Sequence, residues 1–540
     1  MEEYLLAIDA GTGSGRAVLF DLQGKQISVG QEEWQHLAEA GVDNSMGFDF
    51  DNDWPLLCRC IKQAINNAEV TPQQIISVSA TSMREGIVVF DKNGNEIWAV
   101  ANVDARASKQ VTALKASSPD IEYRDYQQSG QTFALGALPR LLWLKEHHPE
   151  LYDQVASVAM LSDWVLAKLS GVIATDPSNA GTTGIFSLAS RNWAPEMAKE
   201  VGLNPAIFPP VVETGTKIGE VTAQAARDSG LSAGTAVVMG GGDVQLGAAG
   251  LGVVNLGDIA VLGGTFWQQV VNIDAQTPPP EDMSIRVNPH VITGLSQAEG
   301  ITFFSGLVMH WFVDAFCHLE KQLAIESGID PYAYMEELAQ QVPVGSYDIL
   351  PIFSDAMHYD HWYHAAPSFI NLSLDAEKSN PACLFRSLQE NACIVSAINL
   401  ESIQAFSQPE SRTFKDGRAS QESASQKSNE QTIVFAGGAS KGFLWPQILA
   451  DVTGKRVKIP QVKEATSLGC AMAAGVGVGI FANIKEAADS IVRWEKEYQP
   501  NMENYQHYQS LKARWIQVYE QQLKLVDKGL TSSMWQAPGL

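Results

Sequence analysis

Short β-branched apolar runs alternate along this chain with segments of helical periodicity, and glycine clusters sit where one gives way to the other. Residues 4–8 (YLLAI) form a continuous apolar run closed by Asp9, which predicts a buried strand. AGTGSG turns the chain into a second run at 16–21, and Gly24 turns it again into QISVGQEEW, predicting a hairpin and a third strand. Apolar residues at helical spacing over 53–68 predict a helix with Asp53 as its cap and Pro55 in its first turn. Strands are expected at 75–80, within SMREGIVVFDKNG and at 214–221, and helices at 139–146 and 162–169. Residues 236–252, AVVMGGGDVQLGAAGLG, read as a buried strand, three glycines, one carboxylate and a small-residue helix.

The opening pattern returns at 258–271 (DIAVLGGTFWQQVV), again strand, glycine turn and strand. This recurrence predicts two similar domains, 1–254 and 255–540, facing a shared cleft. In the second, helices are expected at 301–316, 331–341 and 381–406, and a strand at 348–353. Residues 433–435 read as a strand running into Gly437-Gly438-Ala439-Ser440-Lys441-Gly442 and the helix FLWPQILADV. Residues 467–479 predict a small-residue helix suited to close packing, and the chain from 484 onward reads as charged and helical. The segment 407–431 is almost devoid of apolar residues and is expected to be disordered.

Composition narrows the classes of partner. Acidic residues number 61 against 37 basic ones, a formal net charge of −24 over 540 residues, which repels nucleic acid and anionic membrane surfaces. Six cysteines without a C-x-x-C pair predict buried thiols in a reducing compartment. MEEYLLAIDAG has no basic segment or long apolar core of a secretory leader, so a cytoplasmic protein is expected. A homodimer stays open.

The glycine turns carry the candidate chemistry. The first offers several backbone N–H groups on one side, a nest for phosphate oxygens, with Asp9 beside it suited to a Mg²⁺ shell. It is not a dinucleotide fingerprint, because Arg16 opens a strand rather than a helix, and no Walker A motif occurs. Asp243 reads either as a helix cap or as a carboxylate presented at the mouth of its turn. Arg84–Glu85 and Asp104–Arg106 are acid–base pairs at strand ends, serving either as salt bridges or as donors and acceptors for adjacent hydroxyls. The turn at Gly437 suits an anion or a nucleotide base. His358, His361 and His364 lie in a Pro- and aromatic-rich stretch expected to form a cleft-lining loop rather than a metal site.

DAGTGSGR, GGGD, GGT and FAGGASKGFLWPQILADVTGKRV, in that order, resemble the FGGY carbohydrate kinases over roughly residues 4–484. The resemblance implies an α/β protein with the two-domain, actin-like ATPase (ribonuclease H-like) fold and an interdomain cleft. It implies ATP and Mg²⁺, and a small-molecule polyol as substrate. By position, it implies Asp243 as general base, with Asp9 and Asp243 near Mg²⁺. Gly11, Thr12, Gly13, Ser14 and Arg16 match the first phosphate loop, Gly264 and Thr265 the second, and Gly437, Gly438 and Ala439 the adenosine site. Arg84, Glu85, Asp104 and Gln245 fall to the substrate. Within the family, SMREGIVVFDKNG, NVDARA, GGGDVQLG, GGTFWQQVVN, RVNPHVI and MWQAPGL resemble the branch that phosphorylates the C5 hydroxyl of linear dihydroxypentanedione. The base is followed by Val244 where glycerol kinases carry Gln, which argues against glycerol. Kinases of xylulose or ribulose, and a non-catalytic nucleotide sensor of the same fold, are the alternatives.

Overall fold

The computed structural model describes residues 2–134, 136–355, 363–407, 431–462 and 464–535. Two mixed sheets organise them. In the first, the order is Lys217–Glu220, Ala236–Gly242, Ile75–Ser82, Tyr4–Ala10, Ser14–Asp21 and Gln26–Glu33. In the second it is Arg286–Pro289, Leu295–Thr302, Trp267–Asp274, Ile259–Gly263, Thr432–Ala436, Arg456–Pro460 and Trp494–Tyr498. Each sheet has three adjacent parallel strands, Tyr4–Ala10, Ile75–Ser82 and Ala236–Gly242 in one, Ile259–Gly263, Thr432–Ala436 and Arg456–Pro460 in the other. Each also extends its first parallel strand through antiparallel neighbours. The repeat foreseen from the glycine hairpins is therefore a repeat of whole sheet topology.

Tyr4–Ala10, Ala236–Gly242, Ile259–Gly263 and Thr432–Ala436 read as largely apolar runs because both faces are covered. Helix Phe50–Asn67 packs one face of the first sheet. The Ala/Gly-rich helix Ala465–Gly477 covers the other and pairs with helix Asp243–Gly250. No side chain fits between those two helices: a Cβ on Gly469 would fall on the Leu246 carbonyl, and one on Gly250 on the Ala465 carbonyl. The two halves are thus joined through a seam of small residues.

Several expectations are corrected. The first glycine turn is shorter than AGTGSG, since Ser14 and Gly15 already pair within the second strand. The cap of the first helix is Asp49, whose Oδ1 accepts the Asn52 amide at 3.2 Å, while Asp53 is buried inside the first turn. The helix expected from 301 begins at Ser305, because Ile301 and Thr302 remain paired to Gln268 and Trp267. Phe304, at φ 57°, makes the turn between strand and helix. Trp494–Tyr498 is a charged edge strand inside a stretch expected to be helical. Residues 381–406 are helical as expected, within Pro381–Ser407. The polar segment at 408–430 and both His358 and His361 lie outside the described residues. No helix among the described residues is long and apolar enough to cross a membrane.

Candidate active site

Strand register brings the candidate residues together. Ala10 and Gly242 both lie beside Ser82, so three parallel strands end at one edge of the first sheet. Gly11, Arg84 and Asp243 leave the sheet there, where ligands bind in open α/β sheets. Glycine is needed at 242, since a Cβ would press on Gln245 Oε1 (2.8 Å) and the Arg84 stem (3.2 Å).

Asp243 is not the helix cap; Gly242 holds that position and Asp243 is the first helical residue. Its Oδ1 accepts only the neighbouring Val244 amide, at 2.8 Å. The side chain is 37% exposed, whereas Arg84 and Glu299 behind it are 4% and 0% exposed. Burial of its surroundings raises this carboxyl to about 6; Arg84 opposes the shift, and Glu85 and Glu299 add to it.

Arg84 lies between two carboxylates. Its Nη1 and Nη2 donate to Glu299 Oε1 and Oε2 at 2.7 and 3.0 Å, and its Nε stands 3.6 Å from Asp243 Oδ1. Glu299 also accepts from Gln245 Nε2 (2.8 Å) and Asn288 Nδ2 (2.7 Å). Glu85 has the left-handed backbone of φ 65°, a costly conformation for a residue with a side chain. Its carboxylate pairs with Arg286 and its carbonyl accepts from Arg140.

Asp9 lies near Asp243. Burial raises it to about 7, Arg16 opposes the shift, and the negative charges of Asp243 and Glu464 add to it. Arg16 points from the second strand to Glu464, at 2.9 Å, rather than lying within the turn. In the turn itself the carbonyls are tied back: Trp34 Nε1 donates to Gly11 O at 3.1 Å, Trp34 N to Gly13 O at 3.2 Å, and a His36 ring nitrogen meets Thr12 O at 2.6 Å.

The other two glycine turns share a cavity of about 660 Å³ in the second half. Gly264 and Thr265 form one wall, and Gly438 and Ala439 another. Gly437, at φ 99°, has no room for a side chain, since a Cβ would lie 2.6 Å from the Gly263 carbonyl. Gly306 passes so close beneath Gly264 that a Cβ would overlap its carbonyl. The helix after the third turn, Leu444–Thr453, has its N-terminus capped by Glu336, which accepts the Phe443 amide at 2.8 Å and the Leu444 and Trp445 amides at 3.3 Å. That helix end is therefore satisfied by a protein carboxylate and is not open to an anion.

Two expected substrate contacts are buried and held by protein partners. The Asp104 carboxylate is fully buried, binding Arg106 Nε at 2.9 Å and the Met46 amide at 2.5 Å. Arg106 is in turn stacked on Trp98 and Trp143. Gln245 is buried with its amide nitrogen on Glu299 and Gln297. Sequence reading missed Glu299, Arg286, Gly306, His310 and Glu336. None carries a local motif; only RVNPHVI and the glycine opening the 305–316 helix gave any signal. Among the described residues, no group of three or more His, Cys, Asp or Glu is arranged to hold a metal. Two carboxylates that both resist ionisation, Asp9 partly through the charge of Asp243, still fit Mg²⁺, which commonly takes one or two carboxylates and completes its shell with water and phosphate.

Comparison with known proteins defines the class. The N-terminal domain model of the FGGY family of carbohydrate kinases matches residues 4–250, and its C-terminal domain model matches residues 271–478. The chain belongs to the FGGY family of carbohydrate kinases. Among its relatives, the autoinducer-2 kinase of Enterobacter sp. (strain 638) is 56% identical over 538 residues, covering 99% of this chain and 98% of the relative. That of Yersinia enterocolitica is 55% identical over 539 residues, covering 100% and 98%. The fold is that of xylulose kinase from Rhodospirillum rubrum (TM-score 0.79, 20% identity, 96% of this chain and 99% of that one). It is equally that of Plasmodium falciparum glycerol kinase with ADP (TM-score 0.79, 17% identity, 96% and 98%). These are actin-like ATPase folds.

Proposed function

We propose that this chain is an autoinducer-2 kinase, transferring the terminal phosphoryl group of ATP to the C5 hydroxyl of linear dihydroxypentanedione. One observation supports the chemistry most: Asp243 is a partly exposed carboxylate with no cap to make, set at the sheet edge where the first glycine turn also emerges. Near full-length identity of 54–56% to autoinducer-2 kinases narrows the substrate.

The nucleoside occupies the cavity between Gly264–Thr265 and Gly438–Ala439, and Gly306 and His310 belong to the same wall. The phosphates extend toward the Gly11–Gly13 turn, whose carbonyls Trp34 and His36 hold back. Asp9, with Asp243 beside it, would hold Mg²⁺, which supplies charge neutralisation on the phosphates when bound. Arg84 and Glu85 orient the polyol, while Asp104 and Gln245 act from behind as fasteners. Asp243 accepts the hydroxyl proton as the oxygen attacks phosphorus, a contribution of ~10²–10⁴-fold. The two halves meet near Val254, between the last strand of the first sheet and the first strand of the second. Six unpaired, buried cysteines agree with a cytoplasmic site of action.

Steady-state ADP release with dihydroxypentanedione, xylulose, ribulose and glycerol tests this reading. The expected result is the highest kcat/KM for dihydroxypentanedione. A higher value for any of the others would reassign the substrate, and no polyol-dependent ADP release would favour a nucleotide sensor.

A further inference from the structure

We propose that Glu299 is a positioning residue for this reaction: its buried carboxylate grips the Arg84 fork and so keeps that guanidinium from closing onto Asp243. The inference rests on the reading of Asp243 as the base. Glu299 lies on strand Leu295–Thr302 of the second sheet, and Arg84 follows strand Ile75–Ser82 of the first, so the grip spans both halves. The contact is a parallel fork with both Nη nitrogens engaged, at 2.7 and 3.0 Å. Glu299 cannot turn away, because Asn288 and Gln245 donate to the same Oε1. Only Nε of Arg84 is left facing Asp243, and at 3.6 Å it is beyond a direct hydrogen bond.

That spacing matters chemically. A base needs a free lone pair aimed at the substrate hydroxyl, yet a buried guanidinium seeks any carboxylate within reach. The charged groups around this point are Asp243, Arg84, Glu85, Arg286 and Glu299, with Asp9, Arg16 and Glu464 beyond. Arg286 already holds Glu85. Loosening Glu299 leaves Asp243 as the acceptor nearest the fork, and a fork bound there would cover the oxygens that must take the proton.

Steady-state kinetics of the full-length protein with ATP and dihydroxypentanedione test this. Glu299→Gln keeps the shape but faces an NH₂ group toward one arm of the fork, and kcat is expected to fall about 10²-fold, as for a small misplacement of a catalytic group. The KM for ATP should stay within about threefold, because the nucleotide cavity is separate. In an Arg84→Ala background the same change should cause no further loss of kcat, since the group it restrains is gone. Glu299→Asp, which keeps the charge on a shorter stem, should also lose kcat and serves should the Gln variant not fold. An active wild type with unchanged kcat in Glu299→Gln or Glu299→Asp overturns the proposal alone, as does an equal loss in the Arg84→Ala background. A wild type without polyol-dependent ADP release overturns the parent reading and this proposal together.

Discussion

Replacing Asp243 with Asn removes one charge and almost nothing else. The amide keeps the carboxylate's shape, and its oxygen can still accept the Val244 amide now bound at 2.8 Å. Arg84 loses no direct hydrogen bond, because its fork is on Glu299 and its Nε is 3.6 Å from Asp243. Burial already raises this carboxyl to about 6, so at pH 8 its charge opposes folding, and the neutral variant should be at least as stable as the wild type. What disappears is the proton acceptor, together with one of the two carboxylates beside the Mg²⁺ position; the acceptor alone is worth ~10²–10⁴-fold in kcat, or about 3–5 kcal/mol of transition-state stabilisation. The assay is coupled ADP release at saturating ATP and polyol, with ATP affinity followed through fluorescence of Trp445 in the nucleotide cavity. Unchanged ATP affinity with kcat down at least ~10²-fold is the expected pair of results. A kcat within about threefold of wild type would refute the assignment of the base.

Three further outcomes follow from the same structure. A base held at about 6 must be ionised to act, so kcat/KM should be level above pH 7 and fall about tenfold per pH unit below 6; a pH–rate profile without that acid limb contradicts the assignment. Gly306→Ala would force the Gly264–Thr265 turn aside, and a strain of about 1–3 kcal/mol should weaken ATP roughly 5–150-fold, measured by titration, with the polyol KM unaffected. Asp53, buried in the first helical turn with Oδ2 unpartnered, is raised to about 7 by burial and by Asp49. The folded protein therefore binds this proton more tightly than the unfolded chain, and stability falls as pH rises from about 4 to 7. Asp53→Asn should raise the urea midpoint at pH 8 and not at pH 4; an equal shift at both would contradict the sign.

The backbone of this account was legible in the sequence because glycine turns mark strand ends. YLLAIDAG, AVVMGGGD, IAVLGGT and IVFAGGAS each announce a buried strand stopping at a backbone that must approach a ligand or another chain segment. The repetition of that signal was enough to foresee two related sheets. Pairing across the two halves was not legible. Glu299 sits in LSQAEGIT, an ordinary strand whose acid looks solvent-facing until register and long-range packing bring Arg84 onto it. Asp104 misled in the opposite sense: the NVDARA loop looks like a polyol contact, yet its carboxylate is taken by Arg106, itself stacked on Trp98 and the more distant Trp143, and by the Met46 amide. Asp243 could be read as a cap because local sequence does not say whether helix capping falls to Gly242 or to the acid after it.

The most direct test of the central claim is the identity of the product, read by ³¹P and ¹³C NMR after incubating the protein with Mg·ATP and linear dihydroxypentanedione. One phosphomonoester on the C5 hydroxyl is expected, formed in equal amount with ADP, and formed at least ~10²-fold more slowly when Asp243→Asn replaces the wild type. Phosphate on another position, ADP without a phosphomonoester, or the same product at an undiminished rate from Asp243→Asn would contradict it.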